Sequence, residues 1–176
     1  MKILVLLCVL VAIAVPMSVV GDSTNDAAVP MLRVGVYDTR AIAVAYAGSD
    51  FNDERLHLKM QEHAQAKADG DQAKVGELES WGKTQQRRLH YQGFAAVPVD
   101  DLLEPVAGQL PNVAAEAGVD VIVPFVTWTG KGVEIVDVTD ELVALFEPNE
   151  QTSKFVASIR ETDPVPIEDL EGAHDH

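Results

Sequence analysis

Histidine is the first residue type of this 176-residue sequence that could do chemistry, because imidazole is a common ligand for transition metals. Five histidines are present. His57 and His63 stand six residues apart, so a helix places them on different sides, whereas a zinc-binding helix carries two ligands at i and i+4. His174 and His176 lie in a polar terminal tail, which is a poor scaffold for a metal. The spacing therefore predicts no metal site.

Clustered carboxylates are the second candidate for chemistry, as an acid–base pair or as calcium ligands. They form two groups: Asp100, Asp101 and Glu104, and Asp137, Asp140 and Glu141. Both groups stand where predicted helices begin, so amide capping and the helix dipole account for them. Neither a calcium loop, nor a phosphate-binding glycine loop, nor a nucleophile elbow occurs in the sequence. We expect no enzymatic activity and no cofactor.

Large apolar side chains on predicted helices are the candidates for binding another protein. Trp81 either packs against a neighbouring helix near Met60 or is presented to a client. The spacing of its helix and of the preceding one predicts a client- or partner-binding set of six residues: Phe51, Leu56, Met60, Val75, Leu78 and Trp81.

A second apolar set belongs to predicted strands. Trp128 stands beside a strand end, where it covers the end of a sheet or joins a subunit interface. A small sheet has exposed edges that favour association with other copies. The predicted oligomer interface consists of Val34, Val36, Val121, Val123 and Trp128.

The elements that must position these residues form an α+β domain. Alternating and continuous runs of apolar, largely β-branched residues predict strands over 33–38, 119–126 and 133–136, with the last two joined as a hairpin by a turn over 129–132. Helices flank this small sheet. A projecting antiparallel, coiled-coil-like helical hairpin is predicted over 50–92, with Gly70 in its turn, and each arm is roughly 30 Å long.

Within that domain, Thr139 is expected to cap a helix over 139–146, and Pro105 and Pro111 predict that the helix following residue 99 is kinked or split in two. A further short helix is expected over 150–160.

The two ends of the chain have a different character. Residues 1–21 combine Lys2, an apolar core and a small-residue exit, which is typical of a secretory signal peptide, and a membrane anchor is the alternative. Residues 22–31 predict a flexible lead-in. Residues 148–176 predict the short helix followed by an extended, partly disordered acidic tail. We expect a periplasmic or secreted protein that does not stay inserted in a membrane after cleavage and, because Cys8 leaves with the leader, has no disulfide.

The formal net charge of −15 limits the partners. Nucleic acid and anionic lipid surfaces both attract basic patches and would be repelled by this chain. We therefore expect a protein partner and no nucleic-acid binding.

Three segments carry a resemblance to a known family. Residues 33–40 read RVGVYDTR, residues 118–123 read GVDVIV, and residues 136–142 read VDVTDEL. Together they resemble the opening strand and the C-terminal signature of the Skp/OmpH family of periplasmic chaperones, over about 32–147. The resemblance implies a strand-bearing body that assembles as a trimer, and helical arms that surround unfolded clients, although the arms predicted here are shorter than in that family.

Two functions follow as expectations. The first is an exported holdase-like chaperone that binds unfolded or envelope proteins without ATP or catalysis, through apolar patches on its arms. The alternative is a structural or interaction module that docks one specific folded partner in the cell envelope.

Overall fold

Helices and a small sheet build the part of the chain that the computed structural model describes, which is residues 31–172. The α+β class predicted from the sequence is confirmed, with a sheet of three strands. The predicted signal peptide over 1–21, nearly all of the lead-in over 22–31, and the last four residues with His174 and His176 lie outside the described residues.

All three strands run parallel. They are β1 (Leu32–Val36), β2 (Val121–Val123) and β3 (Val133–Asp137), in the order β2-β1-β3. The predicted hairpin between the last two strands is therefore wrong, because β2 and β3 flank β1 on opposite sides. Parallel strands need a connection that returns along the sheet, and the segment 124–132 makes this return.

Eight α-helices and one 3₁₀-helix complete the described fold. The α-helices are α1 (Thr39–Ala47), α2 (Asp50–Asp69), α3 (Gln72–Phe94), α4 (Asp100–Leu103), α5 (Leu110–Ala117), α6 (Thr139–Ala144), α7 (Glu150–Arg160) and α8 (Ile167–Gly172). The 3₁₀-helix spans Glu104–Gln109 and separates α4 from α5. Pro105 and Pro111 each stand near the start of a new segment, where a missing amide hydrogen costs nothing, so the predicted break is confirmed.

Local chemistry explains most helix ends. The Asp38 carboxylate accepts a hydrogen bond from the Arg40 amide and caps α1. Gly70 and Gly118 end α2 and α5 in the left-handed conformation that glycine adopts without strain. Thr139 does not cap α6 as predicted. Its amide and hydroxyl instead donate to the Asp137 carboxylate, because the helix begins one residue earlier than the pattern suggests, with Thr139 as its first residue.

The hydrophobic core lies between the helices and one face of the sheet. Ile122 and Val136 pack against it from β2 and β3, in register with Gly35 on β1. A methyl group at Gly35 would lie 3.2 Å from the side chains of Val119 and Val138, so glycine permits this close approach. On the helical side the largest fully buried side chains include Ile42, Leu102 and Leu142.

The C-terminal segment also differs from the prediction. Instead of an entirely extended tail, the chain forms α8, and Leu170 is buried. The Val165 amide donates to the Phe94 carbonyl at 2.8 Å, which ties this segment to the end of α3. Leu170 is a single apolar residue in an acidic run, which is a weak signal for a helix in the sequence. The backbone hydrogen bond between Val165 and Phe94 helps to hold this segment against the rest of the fold.

Candidate binding surface on the open sheet face

The sheet has a second face that none of the helices within residues 31–172 covers, and we call it the open face. In a strand, alternate side chains point to opposite sides. Since Gly35, Ile122 and Val136 face the core, their neighbours point the other way. The open face carries Val34, Val36, Val121, Val123 and Ile135. The structure thus brings together four of the five residues predicted as an oligomer interface.

Burial across the open face is uneven. Val34, on the central strand, is 7% exposed, whereas Val121 and Ile135 on the two flanking strands are 41% and 44% exposed. Parallel sheets are normally covered on both faces, because apolar residues line both sides. This sheet therefore presents apolar side chains that, within residues 31–172, remain uncovered.

The connection 124–132 adds two aromatic side chains to this surface. It runs on the open side, since its residues line a cavity together with Val36 and Ile135. Phe125 is 70% exposed and Trp128 is 82% exposed. The Trp128 ring lies beside Gly130, where an added methyl group would be 3.4 Å from its edge. Trp128, the fifth residue of the predicted interface, is the most exposed large apolar residue in the described chain.

An open cavity of about 770 Å³ lies where the three strands end. Tyr37 and Asp38 follow β1, Pro124 and Phe125 follow β2, and Thr139 follows β3. Carboxyl ends of parallel strands are the usual place for ligands in open sheets. The aromatic connection forms one side of this cavity and polar groups form the other.

Two arginine clusters hold the polar side of the cavity. The Arg160 guanidinium donates to Asp137 at 2.6 Å and to Asp140 at 2.5 Å. Burial would by itself raise the pKa of Asp137, but hydrogen bonds from Thr139 and the positive charge of Arg160 together outweigh it, so that pKa lies below its usual value. This carboxylate therefore stays charged near neutral pH.

The second cluster is more enclosed. Arg40 is buried and places two guanidinium nitrogens on the Asp38 carboxylate, at 2.7 and 3.1 Å. Its third donor reaches the Thr162 carbonyl at 2.8 Å. Beside it, burial and the nearby Asp100 carboxylate raise the pKa of Tyr37 to about 12, which keeps the phenol neutral. These groups join β1 and α1 to the segment after α7.

The six predicted client-binding residues are divided by the structure. Val75 and Leu78 are buried, so their side chains are not available to a client. Phe51 is partly exposed and places its ring edge-on to Phe146, with 6.3 Å between ring centroids. Leu56 is 40% exposed and Met60 is 70% exposed.

Trp81, the sixth residue, lies against the neighbouring helix α2 close to Met60, which is the first of the two alternatives considered for it, and its contacts there are with cations. The guanidinium carbon of Arg55 lies 5.4 Å from the ring centroid, and the ammonium of Lys59 lies 5.8 Å from it. Arg55 also donates to Gln85 on α3 at 2.6 Å. Two cations of the same chain thus cover this ring.

Three residues that matter here escaped the sequence patterns. Phe125 and Ile135 belong to runs that look like ordinary buried strands, and only the parallel pairing places them outside the core. Arg160 closes a predicted helix and gives no signal of its ion pairs with β3. The spacing gave no warning either, because the predicted strands left six residues between them, whereas nine separate β2 from β3.

Other kinds of site find no support among residues 31–172. No group of three histidine, cysteine or acidic side chains is arranged to hold a metal ion there. None of the helices described is both long and apolar enough to cross a membrane.

Comparison with known proteins adds no relative. No protein-family model, no curated protein and no solved structure matches the chain.

Proposed function

We propose that this protein is an exported, non-catalytic interaction module whose open face docks another protein. One observation carries the proposal: in the described part of the chain a parallel sheet leaves an apolar face uncovered, and the adjoining connection exposes Phe125 and Trp128. Contiguous exposed apolar surface rimmed by polar residues is typical of protein interaction sites. Aromatic side chains, tryptophan above all, supply much of the binding energy in such interfaces.

Features of the strand ends support a rigid docking surface. Arg160 and Arg40 tie the residues that follow β1 and β3 to the helices, so the polar rim is held by ion pairs and hydrogen bonds. A surface that is already ordered loses little entropy on binding. This favours a specific partner over a broad range of unfolded chains.

A holdase-like chaperone is the second candidate, and the surface of α2 favours it. Leu56, Leu58 and Met60 are all exposed on this helix, although the helix is otherwise polar. The resemblance to the Skp/OmpH family points the same way. In this proposal the client is an unfolded or envelope protein held by apolar contact without ATP.

The arms of that chaperone would be α2 and α3 in an antiparallel, coiled-coil-like arrangement. Three contacts support this arrangement: Arg55 with Gln85, Lys59 with Trp81, and His63 with Glu79. Their sequence separations shrink toward the turn at Gly70, as an antiparallel pair requires. A trimer formed through the strand-bearing bodies would complete the family architecture.

Site-specific crosslinking in cells of the source organism distinguishes these functions. A photoreactive amino acid replaces Trp128 on the connection or Met60 on α2, and a third variant with the same residue at the exposed Lys154 measures background. We expect a discrete adduct from position 128 that positions 60 and 154 do not give. A ladder of many adducts from position 60 alone would instead favour the chaperone.

Two results would overturn the docking proposal. One is the absence of any adduct at position 128 above the Lys154 background. The other is an adduct at position 128 with the mass of two copies of this chain, because it would make the open face an interface of a homo-oligomer. Light scattering of residues 22–176 across a dilution series checks the second result independently.

A further inference from the structure

The two tryptophans differ in whether the protein supplies a cation for the ring. Trp81 has Arg55 and Lys59 over it. Trp128 has no Lys or Arg over its ring from any part of the described chain, and it is 82% exposed. A cation above an indole is attracted by the negative face of the ring, and tryptophan is the best such acceptor.

The two tryptophans also belong to parts of the chain that differ in net charge. The segment 50–94, which holds the helix pair α2 and α3, carries seven Lys or Arg and eight Asp or Glu. The remainder of the described chain, which we call the sheet body (31–49 and 95–172), carries five Lys or Arg and seventeen Asp or Glu. The excess negative charge therefore lies almost entirely on the part that bears the open face. Such a field attracts cationic partners and repels anionic ones.

Asp137 and Arg160 line the cavity, and Asp140 binds the same guanidinium. Asp137 and Asp140 hold Arg160 between them, yet their side chains are still 55% and 81% exposed. A carboxylate oxygen accepts more than one hydrogen bond. The pair can therefore receive a second cation from outside while Arg160 remains in place.

We propose that the partner docked on the open face is a basic polypeptide segment, and that one of its Lys or Arg side chains stacks on Trp128 with its charge toward Asp137 and Asp140. Apolar side chains of the same segment cover Val121 and Ile135. This inference rests on the docking function proposed above and names the chemistry of the partner. A second copy of this chain fits less well, because it would bring another seventeen carboxylates against five cations.

Three matched peptides test the inference on the chain from residue 22 to residue 176. They have the same length and alternate valine with lysine, glutamine or glutamate, and each carries a fluorescent dye for anisotropy. We expect the lysine peptide to bind best, the glutamate peptide not to bind, and the affinity for the lysine peptide to fall with added salt.

Substitutions at the two tryptophans separate cation stacking from general charge attraction. Trp128→Leu keeps an apolar side chain but removes the aromatic ring, and we expect it to weaken lysine-peptide binding roughly 2- to 5-fold. Trp128→Phe should lose less. Trp81→Leu should leave the affinity unchanged, because that ring already has its cations. Circular dichroism confirms that each variant is folded.

The remaining outcomes decide whether the inference, the docking function or both are wrong. Lysine-peptide binding that is insensitive to Trp128→Leu, or no binding of the lysine peptide, overturns the inference. Equal binding of the lysine and glutamine peptides, lost in Trp128→Leu, also overturns it but leaves the docking surface in place. The docking function itself fails only in the crosslinking experiment, so the two failures are distinguishable.

Discussion

The helix pair and the sheet body differ in how their exposed apolar side chains are surrounded by charge. Each exposes apolar side chains and contains one tryptophan. The helix pair covers its tryptophan with two cations and balances its charges within the segment. The sheet body has a buried helical core on one side, an uncovered apolar face on the other, and most of the negative charge. Both regions therefore expose apolar surface, and the difference that leads us to propose the open face as the docking surface is that no cation of the described chain covers Trp128.

The largest expected difference between the two regions is in the free energy of unfolding, because the sheet body has a buried core. Ile42 on α1 is fully buried, whereas Leu58 on α2 is 60% exposed. We expect Ile42→Ala to lower the free energy of unfolding by about 2–5 kcal/mol, because it leaves a cavity, and Leu58→Ala to change it by less than about 0.5 kcal/mol. Urea titration followed by circular dichroism measures both. Equal effects would mean that the helix pair is as tightly packed as the body.

Alkaline titration tests the enclosed part of the body. The folded state raises the pKa of Tyr37 from 10.0 to about 12, so its neutral phenol favours folding. This contribution is fully present below pH 10 and is lost as the pH rises through 12, with a limit of about 2–3 kcal/mol. Urea titrations across this pH range should show a steeper loss of stability for the wild-type chain than for Tyr37→Phe. Parallel curves would contradict the assigned burial.

Two glycine substitutions compare the packing density of the sheet body with that of the helix pair. A methyl group at Gly48, after α1, would lie 2.5 Å from the Thr152 hydroxyl on α7, whereas one at Gly76 in α3 would meet nothing within 4 Å. We expect Gly48→Ala to destabilise the fold by about 1–3 kcal/mol, because two helices must move apart. Gly76→Ala should stabilise it by up to about 1 kcal/mol through helix propensity. Thermal melts of the two variants provide the measurement, and a neutral Gly48→Ala would show that α7 adapts easily.

The smallest expected effect concerns the rim of the open face. The pKa of Asp137 is lowered, so its charge stabilises the fold above the ordinary carboxyl pKa, and this contribution disappears as the pH falls through the lower folded-state value. The side chain is 55% exposed, so solvent screening limits the effect to about 1 kcal/mol. Asp137→Asn should lower stability at neutral pH and flatten its acid dependence. Asp140→Asn, which removes the other partner of Arg160, is the matched control and should change less.

Much of the local structure was predictable because its determinants are local. Gly118 ends a helix, Pro105 splits one, and Asp38 caps one through contacts within a few residues. The order and direction of the strands were not predictable, because a run such as VEIVD reads the same in a parallel or antiparallel pair. The full set of residues on the candidate binding surface was unpredictable for the same reason. The sequence pattern identified Val121 and Val123 as an apolar set. That Phe125 and Ile135 lie on the same side of the sheet as these two residues depends on the strand order.

The central position of β1 has a consequence for how the chain assembles. Arg33 bonds to Asp120 and Glu134, which are 87 and 101 positions further along the chain. During synthesis the first strand is made long before either neighbour exists. One of its edges stays unpaired until about two-thirds of residues 31–172 have been made, and the other until about three-quarters have been made. Sheets built from such distant pairs form slowly, and their early edges are prone to aggregation. Completion of the sheet, and with it the open face, is thus a late event that requires about three-quarters of residues 31–172.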